Sequence, residues 1–71
     1  MGFNMKIDID DSVLYVLNGI SRDVETIIRL RPWIEDEIRN QYGDFHTTKL
    51  FTDYKPKTET FEYKIVFYKQ P

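Results

Sequence analysis

Cysteine is absent from the 71-residue chain, which excludes a disulfide framework and a thiolate metal site. A domain this small buries only about 60% of the surface it exposes when unfolded, so it needs apolar packing, to which self-association could add. Histidine occurs once, as His46, too few for a two-histidine metal site, and its strand neighbours are threonines, so no nucleophile-activating triad is expected around it. The three glycines stand apart at positions 2, 19 and 43, so no phosphate-cradling loop can be built. Apolar runs are short, none near the ~20 residues of a membrane span. The opening Met-Gly-Phe-Asn-Met-Lys has no apolar signal-peptide region, which predicts a cytoplasmic protein.

Strong charge of either sign is also missing, since the net charge is −2. That small total conceals an asymmetry: residues 1–44 carry nine acids and five bases, whereas residues 45–71 carry three acids and five lysines. The result is a mildly dipolar single domain over residues 1–71, unlike the basic footprint of a dedicated nucleic-acid binder.

Among the acids, Asp8, Asp10, Asp11 and Ser12 have the spacing of the first ligands of a calcium loop. The rest of that loop fails, because Val13 stands where glycine must make the turn and Gly19 where a bidentate glutamate must close the site. Helix capping is the better reading of this cluster. Glu35, Asp36 and Glu37 point to different sides of a helix, so they form a solvated face and no paired-carboxylate device. The residues therefore predict no catalytic group, no metal ligand and no cofactor site.

Residues 21–43 form the longest periodic segment. Val24, Ile27, Ile28, Ile34, Ile38 and Tyr42 recur at helical spacing and predict an amphipathic helix. Ser21 is the expected N-cap and Gly43 the expected terminator. Glu25 with Arg29, and Glu35 with Arg39, are acid-before-base pairs four apart, worth about 0.2–0.5 kcal/mol each. Pro32 costs roughly 3 kcal/mol in a helix interior, and unbroken phase would put Arg31 in the apolar stripe and Trp33 opposite it. A kink or restart at Pro32 is therefore expected, turning Trp33 into the core. In the competing case Trp33 stands in solvent as an anchor for a partner.

Elsewhere, Phe3, Met5, Ile7 and Ile9 alternate with polar residues and predict a short strand. Val13, Leu14, Val16, Leu17 and Ile20 read as the apolar face of a second, shorter helix ending at Asn18-Gly19. Phe61, Tyr63, Ile65 and Phe67 alternate cleanly and predict the inner face of a last strand. With a five-residue loop over residues 54–58, Phe51 falls opposite Phe61 and Phe45 opposite Phe67. The expected fold is α+β, β-α-α-β-β, with a C-terminal antiparallel hairpin of about residues 45–53 and 59–69 packed on a kinked helix.

That register sends Leu50, Val66, Tyr68 and His46 to the other sheet face, where an apolar patch marks a protein partner or a second copy. With Trp33 as the competing anchor, these are the predicted partner-binding residues. The reading is a small non-enzymatic binding or regulatory module of inhibitor or accessory type, as acidic stand-alone domains of phages and mobile elements often are, acting by occupying a macromolecular partner. The alternative is nucleic-acid recognition by the hairpin, where seven of the eleven aromatics and five of the six lysines lie. Tyr54 would stack on bases, with Lys55, Lys57 and Lys64 as phosphate contacts.

Overall fold

The computed structural model describes residues 10–71; the strand expected over residues 3–9 lies outside them. The described chain runs β1 (Val13–Ser21), α1 (Val24–Tyr42), β2 (Thr47–Lys55) and β3 (Thr60–Tyr68). It is a small α+β domain in which one helix covers one face of an antiparallel sheet ordered β1-β3-β2.

The second helix expected over the residues before Ser21 is instead strand β1. Val13-Leu14-Tyr15-Val16-Leu17 is half-buried on both sides of the sheet: Tyr15 and Leu17 lie opposite Phe67 and Ile65, and Val16 opposite Val66. A strand covered on both faces loses its alternation and reads like a helical run. The irregularity between Val13 and Tyr15 adds a second distortion of the period, since a bulge places Leu14 as well as Tyr15 against the core. The acidic cluster caps a turn and no helix: Asp10 accepts from the Ser12 amide at 2.8 Å and from its hydroxyl, and Val13 N donates to Asp10 O at 3.1 Å.

Helix α1 is a single element that runs through Pro32. Its phase is unbroken, because Ile27 and Ile38, eleven residues and three turns apart, are both buried. The cap is Asp23 and not Ser21, with Thr26 N donating to Asp23 Oδ1 at 2.7 Å. Gly43 ends the helix at φ 88, ψ −177, a conformation open essentially to glycine alone, and its amide donates to Arg39 O at 2.9 Å.

Ile38, Ile65 and Phe67 form the core cluster, with Leu14, Tyr15, Leu17, Ile34, Phe45, Leu50 and Tyr63 packed on it. The Phe45 ring meets Phe67 edge-on at 5.1 Å, and Tyr15 stacks on Tyr42 at 4.9 Å, latching the end of α1 to β1. The Phe61/Tyr63/Ile65/Phe67 face is turned to the helix, as its alternation predicts.

Register is where the hairpin departs from expectation. Tyr54, not Phe51, is the partner of Phe61, and Thr48 is the partner of Phe67. The turn occupies residues 56–59, with Glu59 at φ 54. This slip of three positions is odd, so it reverses the faces of β2 while leaving those of β3 untouched. Leu50 goes to the core and Phe51 to the outer side.

Candidate docking surface

The corrected geometry redistributes the predicted partner residues. Leu50 packs in the core cluster, and Val66, on the outer sheet face beside Val16 and Lys49, is fully buried. The Val66 side chain is therefore enclosed, and Leu50 is half-buried on the helix-facing side. Tyr68 is half-buried under Lys49, whose Nζ lies 5.6 Å from the ring centre, and His46 is exposed with its amide bonded to Tyr68 O at 2.7 Å. His46, Thr47, Lys49 and Tyr68 do share one shallow concavity of 560 Å³ at the end of the sheet.

Trp33 is on the other side of the molecule, on the solvent face of α1, and is 77% exposed. Proline did not turn it inward. Its position follows from continuous phase, six residues beyond Ile27 and five before Ile38, about 100° or more from either. Leu30, one turn earlier, is 41% exposed, while Ile28, expected in the apolar stripe, is 58% exposed on the opposite flank. Trp33, Asp36, Glu37 and Asn40 line a shallow depression of 260 Å³.

Arg31 shows why the phase could stay unbroken. It sits half-buried in the inner stripe because it has partners there. Its Nε lies 3.3 Å from Glu35 Oε2, and Nη2 donates to Thr48 Oγ1 at 2.7 Å. The same hydroxyl donates to Glu35 Oε2 at 2.9 Å. The three side chains close a triangle that ties the middle of α1 to edge strand β2 and satisfies the charges it shelters.

Further charged groups frame the outward face. Arg39 contacts Asp36 at 3.1 Å and Asp44 at 3.7 Å and lies over the Phe45 ring at 4.6 Å. Arg29 and Glu37, four residues either side of Trp33, are exposed and in no close ion pair among the described residues, although the Arg29 charge acts weakly on the Asp23 carboxylate. At the start of the helix, side-chain and then backbone hydrogen bonding from Thr26 holds the Asp23 carboxyl below its ordinary 3.8.

The residues named for nucleic acid are less concentrated than their spacing suggests. Lys55 Nζ is 3.6 Å from both Asp53 and Glu62, so its charge is matched locally. Tyr54 packs its ring on Phe61 at 5.0 Å, Lys57 projects from the turn, and Lys64 lies on the outer face, opposite Asn18 and Phe51.

Sequence reasoning passed over Leu30, and it treated Arg29 as helix solvation. The available signal was the 3.6-residue phase carried through Pro32, which places both beside Trp33. No helix among the described residues is long and apolar enough to cross a membrane. Neither a family model, nor a curated protein, nor a solved structure matches the chain.

Proposed function

We propose that the chain is a small non-enzymatic binding module, regulatory or accessory in action, whose docking surface is the outward face of α1. One observation carries the reading: the only tryptophan stands 77% exposed at the middle of α1. In a 71-residue chain with few large apolar side chains to spare, solvent exposure of the largest one is costly unless a partner covers it. Exposed tryptophans that fill a partner's pocket are the residue type most enriched among binding hot spots.

The surroundings suit that use. Leu30 extends the apolar area, and acidic and basic side chains rim it, the arrangement of an apolar anchor with a polar border. A helix face presenting an aromatic at its centre is a recurring way for one polypeptide to engage another.

Site-specific photocross-linking tests the proposal. A photoreactive amino acid at position 33 should form a covalent adduct with a discrete polypeptide, while the same group at Lys57 on the hairpin turn should not. Adducts from position 57 and none from position 33 would overturn it.

A further inference from the structure

Resting on that docking reading, we infer that the polypeptide received by the Trp33 face is a second copy of this chain, paired with its α1 antiparallel to the first about a two-fold axis through Trp33. Charge order along the helix favours this pairing. Arg29 stands four residues before Trp33 and Glu37 four after it, about 6 Å along the axis in each direction. Both fall within about 40° of the Trp33 direction around the helix, both are exposed, and neither is in an ion pair among the described residues.

An antiparallel two-fold places residue 33+k beside residue 33−k of the second copy. Arg29 of each copy then meets Glu37 of the other, so the pair is satisfied twice. Thr26 meets Asn40 in the same way, polar against polar, the two indoles meet at the axis, and Leu30 of each copy falls beside Asp36 of the other, whose carboxylate is held by its own Arg39 at 3.1 Å. Parallel pairing would set Arg29 against Arg29 and Glu37 against Glu37, and like charges in register are disfavoured. The face is thus complementary to itself in one orientation only. A single helix pair is smaller than the roughly 1,600 Å² of a standard interface, so the expected dissociation constant is on the order of 10–100 µM.

Sedimentation equilibrium over a concentration series reads this directly. The wild-type chain should move from monomer to dimer. Trp33→Ala should weaken dimerisation at least tenfold, and Arg29→Glu or Glu37→Arg alone should weaken it several-fold. The double variant Arg29→Glu/Glu37→Arg should recover it, because both crossed pairs are restored with signs exchanged. Circular dichroism on every variant checks that the monomer stays folded, which exposed positions permit.

A wild-type monomer at all concentrations would overturn self-pairing while leaving the docking reading to the cross-linking result. A dimer indifferent to Trp33→Ala would overturn self-pairing through this face, again leaving the docking reading to the cross-linking result. A dimer that needs Trp33 but is not rescued by the double exchange would overturn the antiparallel register.

Discussion

Gly19 in β1 lies opposite Tyr63 in β3 on the helix-facing side of the sheet, and the Tyr63 ring passes directly over its α-carbon. A methyl group added there would overlap Tyr63 Cζ, Oη and Cε2. Since Tyr63 packs on the Ile38/Ile65/Phe67 cluster, moving the ring aside weakens that contact. Overpacking of this kind costs about 1–3 kcal/mol. Against it, alanine lowers the entropy of the unfolded chain and returns about 0.4–1 kcal/mol. The net loss expected for Gly19→Ala is about 1.5 kcal/mol. At roughly 0.05–0.15 kcal/mol per residue, the whole domain has only about 4–10 kcal/mol to lose.

Urea denaturation followed by circular dichroism should therefore show a midpoint lowered by about 1.5 M, for a slope near 1 kcal/mol/M. The decisive arm is the double-mutant cycle with Tyr63→Ala. Once the ring is removed, Gly19→Ala should be stabilising by about 0.4–1 kcal/mol, giving a coupling energy of about 2 kcal/mol. Equal effects in the two backgrounds, or a stabilised single variant, would refute the claim that the tyrosine ring requires glycine beneath it.

Other expectations follow from the same geometry. Gly43→Ala should cost about 1–3 kcal/mol, read by thermal denaturation, because φ 88 with ψ −177 is strained for any residue with a β-carbon. Thr48→Val should cost about 1–2 kcal/mol by denaturant titration, since it removes the hydroxyl that both accepts from Arg31 and donates to Glu35. Ile38→Ala should cost about 2–5 kcal/mol, whereas Trp33→Ala should change monomer stability by less than about 1 kcal/mol, as an exposed substitution does. The Asp23 carboxyl is lowered on folding, so its contribution is present above the unfolded value and is lost as pH falls through the folded value. NMR titration should place its midpoint below 3.8, and Asp23→Asn, which still caps, should remove that part of the acid dependence.

The last strand was legible because Phe61, Tyr63, Ile65 and Phe67 meet the helix on one face only, which preserves a period of two. The hairpin register was not, since loop length sets it and a slip of three costs nothing in the pattern of β3 while exchanging Leu50 for Phe51 in the core. Strand β1 was read as a helix for a related reason: Val16 is matched with buried Val66 on the outer face, so its run of apolar residues has no polar alternation to betray it. At Pro32 the local penalty is legible in the sequence and its compensation is not. The Arg31–Glu35–Thr48 triangle is a long-range contact, visible only once β2 is placed beside the helix, and it makes a charged residue acceptable in the inner stripe. The identity of Trp33 as an exposed residue was thus written in the helical phase, and was set aside for a cost that tertiary structure offsets.

Trp33 is the sole tryptophan in the chain, so its fluorescence reports on the docking surface without interference from another indole. The measurement that tests the central claim most directly is its emission and acrylamide quenching across a dilution series of the wild-type protein. A surface anchor that is covered on association should give red-shifted, readily quenched emission in the dilute monomer, turning blue and protected as concentration rises. Emission that is blue and protected at every dilution, with the chain monomeric by sedimentation, would put Trp33 in the core and contradict the account.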